Sequence, residues 1–168
     1  MNVVTYSVIT YICSVKLEDE IKQVKFKSIY QKAGINLVYT VSMMQNRHMK
    51  TLKKFGLTIP QFNILRILRG QHPSSTTVND LIVRMLDKSS NASRIVDKLK
   101  LKKLVNRKID DKDRRSVRVS ITSAGLDLLS QIDALEPEFY FGQDCLSEKE
   151  AVLLNEMLDR GRDKFLTK

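Results

Sequence analysis

Between Thr77 and Ser120 the chain sets two short stretches of helical apolar spacing directly before a strand, a charged turn and a second strand. Few folds accept that order. Val78, Leu81, Ile82 and Met85 stand at i, i+3, i+4 and i+7, and Ala92, Ile95, Val96 and Leu99 repeat the spacing, so each stretch predicts one amphipathic helix. Only Leu86-Asp87-Lys88 separates them, which predicts a tight turn. Thr76 or Thr77 is placed to cap the first helix, and Ser89 or Asp87 the second. LVNRKI, the polar run DDKDRR and SVRVSI follow. In the last of these Val117, Val119 and Ile121 fall on one face and Ser116, Arg118 and Ser120 on the other, so the segment predicts a β-hairpin with a charged tip.

The flanks are helical. From Leu17 to Lys54 there is no proline, and Ile21, Val24, Ile29, Ala33, Leu37, Val41, Met44 and Leu52 recur at threes, fours and near-heptad steps, which predicts a long helix broken once near Gly34. One small core cannot cover so long a stripe, so part of it is expected to meet a second subunit. Gly56 stops this helix, Thr58 caps the next, Pro60 stands just inside it, and Gly70 ends it. After the hairpin, Thr122 caps a helix through Leu126, Leu129 and Ile132 that ends before Pro137. Ser147-Glu148-Lys149-Glu150 then opens a last helix with a capping box. The expected fold class is mainly α with a small β-wing. A winged helix-turn-helix lobe spans residues 57–122, and residues 16–54 and 123–168 supply flanking dimerisation helices.

Residues 1–15 are uncharged and rich in β-branched side chains, without a basic leader or the length to cross a bilayer, and they read as an apolar extension or an over-called start. No membrane partner is expected. Two cysteines, Cys13 and Cys145, suit a reducing cytoplasm. Neither they nor the two histidines, His48 and His72, have the spacing of a metal site, and six glycines provide no phosphate loop. No cofactor, metal or catalytic residue is assigned, and an enzyme is not expected.

The formal charge of +10 points to a polyanion, and its distribution sharpens the point. Residues 77–120 hold 13 Lys and Arg against 6 Asp and Glu, whereas residues 121–168 hold 5 against 10. On the second short helix the 3.6-residue period turns Ser90, Arg94, Asp97 and Lys98 outward, with Ser89, Asn91 and Ser93 at the N-terminal flank. Slim polar side chains and one arginine suit a major groove, although an ordinary solvated helix face has the same look. The hairpin separates the two readings. Arg107, Lys108, Lys112, Arg114, Arg115 and Arg118 cluster on a thin ribbon able to reach a DNA backbone or minor groove. Asp110, Asp111 and Asp113 would be repelled by phosphate, so at least one is expected to pair with an arginine and stiffen the tip; Asp113 with Arg115 is the expected pair.

Residues from about Tyr30 to Leu158 resemble the MarR family of bacterial winged-helix regulators. The matching stretches are GLTIPQFNILRIL (56–68), SRIVDKL (93–99), LVNRKIDDKDRRSVRVSIT (104–122) and TSAG (122–125). The resemblance implies a homodimer held by the first and last helices, a recognition helix around Ser89 to Lys102 and a wing from Val105 to Ile121. It also implies Asp113 and Arg115 as the wing-tip pair. The implied function is a cytoplasmic, sequence-specific regulator of double-stranded DNA, a repressor released by a small aromatic effector. The alternative is a non-specific architectural DNA-binding protein using the wing and Lys16, Lys22, Lys25, Lys27 and Lys32. Tyr30, Tyr39, Met43, Met44, His48 and Phe62 are candidates to line an effector cleft, or they are core. One departure stands out: Lys103 occupies the place where the family has glycine as a left-handed helix cap.

Overall fold

A computed structural model describes residues 15–110, 116–135, 141 and 145–166. In chain order the elements are α1 (Leu17–Ile21), α2 (Ile29–Lys54), α3 (Ile59–Arg69), β1 (Thr76–Thr77), α4 (Val78–Arg84), α5 (Ala92–Leu101), β2 (Val105–Ile109), β3 (Val117–Ile121), α6 (Ser123–Asp133) and α7 (Glu148–Leu166). The protein is mostly helical with one small antiparallel sheet in the order β1-β3-β2. It divides into two compact units, residues 1–41 with 140–168 and residues 42–139.

The second unit carries the core, because its helices and sheet each offer one apolar face to the others. Leu52, Ile64, Leu65, Leu68, Leu81, Val96, Leu99, Val119, Leu129 and Ile132 are fully buried there. Burying a side chain of this size contributes roughly 1.5–3 kcal/mol. Every helix start in this unit that follows a threonine uses its hydroxyl. Thr58 accepts from the Gln61 amide, Thr77 from Asp80 and Thr122 from Gly125, the first two as reciprocal capping boxes. Gly125 cannot be replaced without movement, since a Cβ there would lie 2.5 Å from the Leu104 carbonyl oxygen and 2.7 Å from Ile121 Cγ1.

The long N-terminal helix does not break at Gly34, which lies inside α2. The break falls between α1 and α2. Lys22 closes α1 in the left-handed region (φ 55°), and the Ser28 hydroxyl accepts from the Gln31 amide while Gln31 Oε1 accepts from the Lys27 amide. Side-chain caps at Ser28 and Gln31 therefore override a glycine that costs a helix interior only about 1 kcal/mol. In the first unit, Lys32 pairs with Glu18, and the Tyr39 hydroxyl donates to Glu20 over 2.5 Å, tying α1 to α2.

The two short helices are also further apart than the apolar spacing suggests. Met85 leaves the helix and is buried, residues 85–91 form the turn, and Asn91 caps α5 in place of Ser89 or Asp87. The reason lies in Asp87, whose carboxylate accepts from the Ser89 amide and hydroxyl at 3.0 and 2.6 Å and from the Ser90 hydroxyl at 2.7 Å. That local turn competes with helix for the same residues. Ser89 and Ser90 consequently stand before the helix rather than on it.

Candidate nucleic-acid interface

Helix α5 buries Ala92, Val96 and Leu99 and exposes Ser93, Arg94, Asp97, Lys98 and Leu101. Asn91 Oδ1 accepts from the Arg94 amide at 3.0 Å, so this side chain first serves the helix start. Its remaining amide donors stay available at the helix N-terminus, where the backbone dipole favours anions. Thr58, Pro60 and Gln61 at the start of α3 and Ser90, Asn91, Arg94 and Lys98 line a shared cleft of about 350 Å³. The α3 side of this arrangement was not foreseen: Thr58 was legible as a helix cap, but its nearness to α5 was not. The turn before α5 is held internally by Asp87 and pinned at its start by a 3.1 Å hydrogen bond from the Leu86 amide to Asn63 Oδ1. The serine hydroxyls and amides at Asp87 hold its carboxyl below the usual carboxylate range.

Helix α5 ends with two backbone hydrogen bonds, Lys103 to Lys100 and Leu104 to Leu99, at 2.8 and 3.1 Å. This is a Schellman closure, with Lys103 at φ 61°. Helix α2 ends the same way, through Gly56 to Lys53 and Leu57 to Leu52, with Gly56 at φ 64°. The lysine thus takes the backbone conformation that Gly56 takes. The apolar pair Leu99 and Leu104, both buried, holds it there.

Strands β2 and β3 pair from Val105 opposite Ile121 to Ile109 opposite Val117, and the Asp110 amide donates to the Ser116 carbonyl beyond them. Lys108 and Arg118 are opposite one another and exposed. The arginine is engaged: its Nε donates to Asp110 Oδ2 at 2.5 Å. An acid of the turn does pair with a wing arginine, but the observed pair is Asp110 with Arg118. Lys112, Asp113, Arg114 and Arg115, and with them the expected tip pair, lie outside the described residues. Arg107 approaches Asp97 of α5 at 3.4 Å, a link between wing and helix for which ten residues of separation carried no local signal.

Of the side chains suggested for an effector cleft, two are engaged elsewhere and two are exposed. Tyr39 is hydrogen-bonded to Glu20, Tyr30 and Met43 are exposed, and Phe62 packs on the lobe core with the Arg66 guanidinium 5.8 Å from its ring centroid. Among the described residues no helix is long and apolar enough to cross a membrane, and no group of three His, Cys, Asp or Glu side chains gathers to hold a metal.

Two helices joined by a pinned turn, with the second exposing a polar face beside a basic hairpin, define a winged helix-turn-helix protein. A profile described as MarR family matches residues 55–116. The chain is 34% identical over 119 residues to the HTH-type transcriptional regulator MhqR of Bacillus subtilis, covering 68% of this chain and 79% of that one. It is 28% identical over 142 residues to the transcriptional repressor IacR of Pseudomonas putida, covering 84% and 80%. The fold is shared with Bordetella bronchiseptica BpsR, a structure described by regulation of its DNA binding by 6-hydroxynicotinic acid. The TM-score is 0.62 at 23% identity, over 77% of this chain and 97% of that one. The chain belongs to the MarR family, and its relatives are transcriptional regulators.

Proposed function

We propose that the protein is a homodimeric, sequence-specific repressor that inserts α5 into the major groove of double-stranded DNA. The observation that carries this reading is the exposed face of α5, with Arg94 and Lys98 beside Ser93 and the capped N-terminus, held next to the β2-β3 hairpin. Ser89, Ser90, Asn91, Ser93, Arg94 and Lys98 form the reading surface, with the two serines and the Asn91 amide directed to backbone phosphate as much as to bases. Lys108, Lys112, Arg114 and Arg115 hold the flanking backbone or minor groove. Arg118 acts mainly by fixing the wing through Asp110, and Asp113 pairs with Arg115 at the tip.

Residues 57–122 are the DNA-binding lobe, and the dimerisation helices are drawn from residues 16–54 and 123–168, supported by the exposed Leu37, Val38 and Val41 of α2 and Val152, Leu153 and Met157 of α7; α6, at the start of the second segment, packs Leu129 and Ile132 into the lobe core instead. A dimer places two recognition helices in successive major grooves roughly 34 Å apart and so blocks polymerase at a pseudo-palindrome. Release by a small aromatic effector is part of the reading, supported by the BpsR likeness.

Selection of bound fragments from genomic DNA, repeated with two variants, tests the assignment. Arg94→Ala should change which sequences are recovered, whereas Arg115→Ala should weaken binding on every sequence and reduce the salt slope by about one. An Arg115→Ala protein with intact affinity contradicts the wing role. Recovery of the same fragments by Arg94→Ala and the unaltered protein contradicts base reading by α5.

A further inference from the structure

The C-terminal end of α5, strand β2 and the Thr122 cap of α6 line an open cavity of about 380 Å³ on the wing side of the recognition helix. Four of its lining side chains are cationic: Lys100, Lys103, Arg107 and Lys108. Among the described residues the carboxylate that pairs with this group is Asp97, which meets Arg107 at 3.4 Å. Arg107 is poorly satisfied even so, because its Nε is buried without a hydrogen-bond partner. The rest of the guanidinium is accessible, the side chain being 34% exposed, and a planar or tetrahedral oxyanion accepts two such donors at once. Asn106 adds an amide at the same wall.

The position of Lys103 is the second observation. A lysine at φ 61° costs roughly 1 kcal/mol relative to glycine, the residue a Schellman closure ordinarily uses. The backbone closure does not need the side chain, since the Gly56 closure is made identically without one. The side chain at 103 adds a fourth cation to a wall that already has three, at an energetic cost, which suits an anion ligand and not the fold.

We infer that this cavity is a phosphate seat, with Lys100, Lys103 and Arg107 as the ligating side chains and Lys108 at its edge. The phosphate group has two sources, the DNA strand that runs between the groove read by α5 and the groove met by the wing, or a free phosphate compound. The first source rests on the proposed DNA-binding function; the second does not.

The test uses the full chain and a double variant, Lys100→Gln with Lys103→Gly, which keeps the backbone closure and removes two of the cations. Duplex binding is followed by fluorescence anisotropy from 50 to 200 mM salt. In parallel, inorganic phosphate is titrated while the backbone amides of Lys103, Asn106 and Arg107 are watched by NMR. If the DNA strand is the source, the variant binds any duplex on the order of tenfold more weakly, with a salt slope smaller by about one to two, whatever the sequence. If free phosphate is the source, duplex affinity is unchanged and the three amides shift saturably in the unaltered protein but not in the variant. Unchanged duplex binding together with amides that phosphate does not move overturns the seat. Should the unaltered protein bind no duplex, the DNA-binding reading fails separately, and the phosphate titration alone decides the seat: saturable shifts support it and their absence overturns it.

Discussion

The lobe builds a closed apolar core and the terminal helices do not, although both leave apolar side chains at the surface, Val83, Leu86 and Leu101 among those of the lobe. In the unit of residues 42–139, Ile64, Leu65, Leu81, Leu99 and Leu129 are all 0% exposed, and helices and sheet close on one another without outside help. In the other unit Leu17, 6% exposed, is the one buried apolar side chain among the described residues, while Val38 is 71%, Val152 58% and Leu153 51% exposed. Soluble proteins rarely leave long apolar stripes in water unless another surface covers them. The lobe therefore has a core of its own, and the exposed stripes of the terminal helices are the surfaces that the proposed dimer covers.

Four changes would sharpen or break that contrast. The largest effect is expected at Leu99→Ala, which opens a cavity under the recognition helix and should lower unfolding free energy by about 2–5 kcal/mol in urea titration while leaving the oligomeric mass unchanged. Second, Val38→Glu with Leu153→Glu places charge on the exposed stripes. Sedimentation should show the dimer dissociating at least about tenfold more readily, with the lobe's own near-native amide pattern retained. A dimer of unaltered strength would end the view that these faces pair.

Third, Lys103→Gly relieves the left-handed lysine and should stabilise the lobe by roughly 1 kcal/mol, readable as a raised urea midpoint. The smallest effect concerns Asp87. Its folded-state pKa lies below the unfolded value of about 3.9, so its contribution is present above that pH and is lost as pH falls through the folded-state value. The Ser89 and Ser90 amide resonances should move in that acid window and not at neutral pH, and Asp87→Asn should abolish the movement.

The same contrast explains what could be read before the structure. The lobe was legible because its signals are local: i, i+3, i+4 spacing in α4 and α5, threonine caps, and strict alternation in β3. Gly125 in TSAG and the left-handed end of α5 belong to the same class of signal, and Lys103 was marked as the odd residue. The turn was misjudged because an aspartate two and three residues before serines forms its own hydrogen-bonded loop, so Asp87 moved the start of α5 to Asn91. The break before α2 was misplaced for a related reason, a Ser28-Gln31 cap outweighing a glycine. Asp110 with Arg118 and Asp97 with Arg107 were beyond sequence reading, since each pair depends on hairpin register or on packing between elements eight and ten residues apart.

The central claim is that α5 reads a particular DNA sequence from within a dimer. Competition binding tests it most directly: the full chain is held on a labelled duplex recovered by genomic selection and challenged with unlabelled bulk DNA at 150 mM salt. The account predicts that bulk DNA competes at least about a thousandfold less well than the selected duplex. Equal competition by both would contradict it and leave a basic protein that binds DNA without choosing a sequence.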